Sequence, residues 1–121
     1  MTDEIRSYRD LTAWQKAMDL AEVIYRYTHA WPREEVYSLT NQVRRAAASV
    51  PSNIAEGKGR QGATEFLHFL SIARGSLHEM ETQLILAERL GYMGPKDSAR
   101  VLAMSDEVGR LVAGLMRSLR R

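Results

Sequence analysis

Apolar residues recur at three- and four-residue intervals in four stretches of this chain, and none alternates in the period of two that a half-buried strand requires. A first helix is expected over about 11–28, with Trp14, Met18, Ala21, Ile24 and Tyr25 at helical spacing. Trp31-Pro32 ends it, because the residue before a proline avoids the helical region. A second is expected over about 37–55, carrying Leu39, Val43, Ala46, Val50 and Ile54 as its apolar seam, with Gly57, Gly59 and Gly62 making the connection that follows. A third, over about 64–90, places Phe66, Phe69, Ala73, Leu77, Met80, Leu84 and Ala87 on one face and stops at Gly91. Gly94-Pro95 opens a fourth that continues to about 119 through Leu102, Val108, Leu111, Val112 and Leu115. Short connections force sequential helices antiparallel, so the expected fold is all-α, an antiparallel up-down four-helix bundle. It occupies residues 11–121 behind an N-terminal arm, 1–10.

One stretch departs from the pattern. Ser49-Val50-Pro51-Ser52-Asn53-Ile54-Ala55-Glu56-Gly57 puts a proline inside an amphipathic helix, where it has no N–H for the Ala47 carbonyl. Its ring also crowds the preceding turn, at roughly 3 kcal/mol, so a kink or break in the second helix is expected. Beside the apolar seam, Gln42, Arg45, Ser49, Asn53 and Glu56 fall in one narrow sector. Half-wet boundary positions would explain any one of them. A ladder of both charge signs and two amides would specify register or a subunit contact, with Asn53 and Glu56 buried and paired to Gln42 or Arg45.

These residues, with Tyr8-x-x-Leu11-x-x-Trp14, Pro32, Tyr37, Leu39, Gln42-Val43-Arg44, Phe66-x-x-Phe69-Leu70 and Leu90-Gly91-Tyr92, resemble the bacterial four-helix-bundle family of intervening-sequence proteins. Members are encoded inside large-subunit ribosomal RNA genes, and relatives include the accessory variability proteins of diversity-generating retroelements. The similarity runs from about residue 8 to the end, and Asn53-Ile54-Ala55-Glu56-Gly57 is its most specific element. The resemblance implies the antiparallel bundle and a homo-oligomer, in some relatives a ring-shaped pentamer that binds nucleic acid. It also makes a reverse transcriptase one conceivable protein partner, and it implies no enzymatic activity.

Composition adds one compact domain without disulfides, since 121 residues contain no cysteine. The acidic start Met1-Thr2-Asp3-Glu4 is unlike a signal peptide and no apolar run reaches the roughly 20 residues of a membrane span, so a cytoplasmic location is expected. A net charge of +2 argues little alone. Distribution argues more: residues 1–40 hold seven acids and five bases, whereas Arg44, Arg45, Lys58 and Arg60 face only Glu56 over 44–60. Arg110, Arg117, Arg120 and Arg121 close the chain with no acid among them. The bases are mostly arginine, which forks onto phosphate. Solvation of a surface and complementing of a helix dipole are the alternative explanation.

Catalytic patterns are sparse. Glu65-x-x-His68 has di-iron spacing but occurs once where such bundles need it twice with two further glutamates, and Gly57-Lys58-Gly59-Arg60 lacks the strand and Lys-Ser/Thr of a phosphate loop. No enzyme, metal or cofactor is expected. A second stripe on the third helix, His68, Ile72, Gly75, Glu79, Leu86 and Leu90, is either a broad core face or a surface that meets another helix. Two functions follow: an oligomeric nucleic-acid-binding protein of little sequence preference, using Arg44, Lys58, Arg60, Arg117, Arg120 and Arg121, or a scaffold recruiting a protein partner. No aromatic run is interleaved with these bases, so stacking on single strands is not indicated. The polar network of Gln42, Arg45, Ser49, Asn53, Glu56 and Glu79 is assigned to structure or oligomerisation.

Overall fold

The computed structural model describes residues 5–120, and Arg121 lies outside them. Four helices carry the fold: α1 (Thr12–Thr28), α2 (Leu39–Lys58), α3 (Ala63–Arg89) and α4 (Pro95–Leu119). Single 3-10 turns at Tyr8–Asp10 and Arg33–Glu35 precede α1 and α2, and no strand is present among the described residues. Each boundary has a local cause. Ser7 and Asp10 cap the first turn reciprocally, Oγ of Ser7 accepting the Arg9 N–H and the Asp10 carboxylate accepting the Ser7 N–H. At the end of α3, Gly91 adopts φ +81°, and the N–H groups of Gly91 and Tyr92 donate to the carbonyls of Glu88 and Ala87. That is the left-handed helix stop for which glycine is suited. Pro95 occupies the first turn of α4, where its missing N–H costs no helical bond.

Each helix packs on its two neighbours around a square: α1 on α2 and α4, α3 on α2 and α4. Pairings along the seams fix direction. Arg44 reaches Thr28 and Tyr25, while Pro51 shares a groove with Trp14 and Met18, so α1 and α2 run antiparallel. Ser49 meets Ser76 and Gly57 meets Phe66 and Phe69, giving the same sense for α2 and α3. Ser105 meets Glu81 and Gly109 meets Leu77, and Lys16 and Tyr27 meet Glu107 and Arg100, which completes the ring. Leu20, Ile24, Val43, Ile54, Leu70, Leu77, Met80, Leu84, Val108 and Met116 fill the middle, essentially without solvent exposure. Burial of each such aliphatic side chain contributes about 1.5–3 kcal/mol before entropy is counted.

Two expectations need correction here. The core face of α1 is Ala13, Ala17, Leu20, Ala21, Ile24 and Thr28; Met18 and Tyr25 remain 44% and 46% exposed, on the rim. Small residues on the inner face let α1 sit close, which turns the larger side chains outward. Gly57, read as part of a linker, is instead a buried position inside α2. A Cβ there would fall 2.8 Å from the Phe69 Cβ and 2.9 Å from Phe66 Cδ1, so glycine permits α3 to close against α2. At Pro51 the helix is not broken: α2 continues through it to Lys58, with the proline ring buried.

Candidate functional site

The antiparallel ring brings distant basic residues to one end of the bundle. The arm, the end of α2, the α2–α3 connection and the end of α4 meet there, carrying Arg6, Arg9, Lys58, Arg60, Arg117 and Arg120 against Asp10, Glu56 and Glu65. At the opposite end Arg44 and Arg100 are hydrogen-bonded to Thr28, Tyr25 and Tyr27, and Arg26, Arg33, Arg89 and Lys96 stand against Glu34, Glu35, Glu88 and Asp97. Arg60 is partly occupied: its guanidinium is 3.2 Å from the Glu56 carboxylate and lies 5.0 Å over the Phe69 ring. Among the described residues Lys58, Arg117 and Arg120 make no ion pair.

Arg44 does not join this group. It sits near the start of α2, half-buried, its Nε donating to Thr28 Oγ1 at 2.8 Å and its Nη2 to the Tyr25 carbonyl at 3.3 Å, with the guanidinium 5.0 Å over the Tyr25 ring. It holds the end of α1 to α2, and two of its five N–H donors are used in doing so. Sequence alone cannot separate it from the others, because charge and helical phase are the same for a tether and for a free base.

The polar seam of α2 divides in the same way. Gln42, Arg45 and Ser49 join Glu79 of α3 around an open groove of about 380 Å³, together with Asn41, Ala46 and Ser76. The Ser49 and Ser76 hydroxyls share a hydrogen bond of 2.8 Å across its floor. Ser76 is the member that sequence reasoning missed; its place one turn before Glu79 was the available signal. Asn53 is half-buried and turns back onto its own helix, donating to the Ser49 carbonyl at 2.8 Å and Ser49 Oγ at 2.9 Å. Glu56 is exposed and pairs with Arg60, not with Gln42 or Arg45. Burial of Asn53 and Glu56 with pairing to Gln42 or Arg45 is therefore overturned: Glu56 lies two turns beyond the groove, level with the α2–α3 connection, where water reaches it.

On α3 the second stripe is a solvent-facing surface, with Ile72, Leu86 and Leu90 exposed by 40%, 46% and 51%. At the far end, a different cluster fastens the turns. Tyr92 Oη donates to Glu35 Oε2 at 2.6 Å, the Leu39 N–H donates to Glu35 Oε1 at 3.2 Å, and Trp31 packs 6.0 Å from the Tyr92 ring. The Tyr92 hydroxyl, then the Leu39 N–H, hold the Glu35 carboxyl below its ordinary value of 4.5. The same bond raises the Tyr92 hydroxyl above 10.0. No group of three or more metal-ligating side chains occurs among the described residues, and none of their helices is long and apolar enough to cross a membrane.

A four-helix bundle with this glycine-gated α2–α3 contact matches one family in sequence. Residues 9–114 match the 23S rRNA-intervening sequence proteins, and the chain belongs to that family. In structure it is similar to a protein of unknown function from the S23 ribosomal protein family of Bacteroides thetaiotaomicron, with a TM-score of 0.78 at 22% identity. The match covers 87% of this chain and 98% of that one, and at this identity it speaks for the fold alone. No curated protein matches the chain.

Proposed function

We propose that this protein binds the phosphate backbone of nucleic acid through the basic end of the bundle, without catalysing a reaction and with little sequence preference. The observation that carries this is the convergence of Lys58, Arg60, Arg117 and Arg120 at one end, while at the other Arg44 and Arg100 are hydrogen-bonded within the bundle and the remaining bases face as many acids. Cations that are not neutralised by neighbours can release counterions from a polyanion on contact, and that release is the main source of non-specific affinity. A subunit charge of +2 is modest, and self-association would concentrate it; a homo-oligomer, a pentamer by the resemblance above, belongs to this reading. The cytoplasm is the expected location.

Affinity for duplex DNA or RNA should fall with salt, with a log–log slope near −0.9 for each phosphate neutralised on DNA. Replacing Lys58 and Arg60 together by alanine should weaken binding evenly across sequences and reduce that slope by about two, whereas Arg44→Ala should lower the melting temperature instead. Absence of any salt-sensitive shift at about 50 mM salt, where such contacts are strong, would remove this reading. The exposed Ile72, Leu86 and Leu90 would then favour the second one, a scaffold that recruits a protein such as a reverse transcriptase through α3.

A further inference from the structure

The fold places an aromatic groove beside the basic end that sequence order conceals. Between the arm, α1 and α2 lies a groove of about 320 Å³ whose one wall is Tyr8, Trp14 and Met18. Its floor is the α2 surface made by Ala48, Pro51, Ser52 and Ala55. The groove is open because every α2 residue beneath it is short; a leucine at Ala55 would fill it. Pro51, at the centre of the floor, is buried beneath the groove and has no long side chain that could rise into the space. Tyr8 and Trp14 meet edge to face at 5.3 Å and both are only half-buried, so ring surface remains accessible along the groove.

Cations border this groove. Arg9 lies 5.7 Å over the Tyr8 ring, and Lys58 follows Ala55, the last α2 residue of the groove, by one turn. A flat apolar slot with cations at its mouth matches an unpaired nucleobase whose own phosphate is still attached; a base inside a duplex cannot enter it. Base–aromatic stacking of this kind tolerates any sequence, because every base has a π-face.

We propose that the Tyr8–Trp14–Pro51 groove seats one unpaired base of a single-stranded nucleic acid, with Lys58 and Arg9 taking the flanking phosphates. This rests on the nucleic-acid reading above and narrows it to strands that can present an unstacked base. The test uses Trp31→Phe protein, in which Trp14 is the sole tryptophan, titrated with single-stranded oligothymidylate and with a duplex of equal length. The single strand is expected to quench Trp14 and to bind more tightly than the duplex. Tyr8→Ala should weaken single-strand binding about ten- to hundred-fold and leave duplex binding unchanged, while Tyr8→Phe, which keeps the ring, should bind as the parent does. Equal, salt-sensitive binding of both nucleic acids with Trp14 emission unchanged would overturn this site and leave the charge reading standing. Equal losses in Tyr8→Ala and Tyr8→Phe would overturn stacking as the mode of recognition. Binding of neither nucleic acid would remove both proposals.

Discussion

At the end where α2 meets α3 the helices close through backbone proximity, Gly57 admitting Phe66 and Phe69, whereas the far end is fastened through side chains, Tyr92 on Glu35 and Trp31 on Tyr92. The difference shows how one small bundle can carry stability and a charged surface together. Packing at a glycine needs no polar partner, and Lys58, Arg117 and Arg120 at that end make no ion pair among the described residues. At the far end Arg44 and Arg100 are held by hydrogen bonds, the remaining bases face as many acids, and one carboxylate is committed to a hydrogen bond.

The comparison breaks most visibly at Gly57. Gly57→Ala should destabilise the fold by about 1–3 kcal/mol, the usual cost of overpacking, because its new methyl meets the Cβ of Phe69 and the Phe66 ring, neither of which can swing away freely. Chemical denaturation checks it, and a midpoint equal to wild type would show that α3 can slide outward at no cost.

Tyr92→Phe tests the far end and should have a smaller effect, read as a lower melting temperature at neutral pH. Its pH dependence carries the sign. Glu35 has a folded pKa below its ordinary 4.5, so the stabilisation is complete above that pH and is lost as pH falls through the lower folded value. The gap between wild type and Tyr92→Phe should therefore be full at pH 7 and close in acid. A gap that stayed constant from pH 7 to about pH 3, below the reference range for glutamate, would show that the Oη–carboxylate bond does not contribute through Glu35. Tyr92 is shifted upward, so the same contact is also lost as pH rises beyond 10.0.

Glu56→Ala should have the smallest effect, under about 0.5 kcal/mol, since the carboxylate is exposed and its one ion pair is with an equally accessible arginine. Freed from Glu56, Arg60 should strengthen polyanion binding slightly. A large loss of stability would mean that Glu56 has a partner in an assembly, such as another copy of the chain.

Helical phase made the four helices legible, with their ends within about three residues of those observed. It could not say which of two adjoining faces turns inward, because that depends on the girth of the neighbour. Trp14, Met18, Ala21, Ile24 and Tyr25 are spaced like a core face, yet of these only Ala21 and Ile24 are buried, beside Ala13, Ala17 and Leu20. The short side chains of Ala48, Ser52 and Ala55 on the facing helix then leave Trp14 and Met18 at the edge of an open groove. The site was legible to a similar degree. Gln42, Arg45, Ser49 and Glu79 do line one groove, while Asn53 turns back to Ser49 and Glu56 to Arg60. Competition between an intrahelical partner one turn away and a partner across the groove is settled by side-chain length, which a helical wheel omits. Arg44 failed for the same reason: only the approach of α1 reveals the Thr28 hydroxyl waiting for it.

Because an even number of helices alternate in direction, Ile5 and Arg120 emerge together beside the α2–α3 connection. Whatever precedes the one or follows the other leaves the bundle next to the basic surface. An affinity tag or fluorophore on either terminus would therefore shield or report that surface. A label on the α3–α4 turn, at the exposed Gly94, would stand at the far end, about the length of a 25-residue helix away, and leave it untouched.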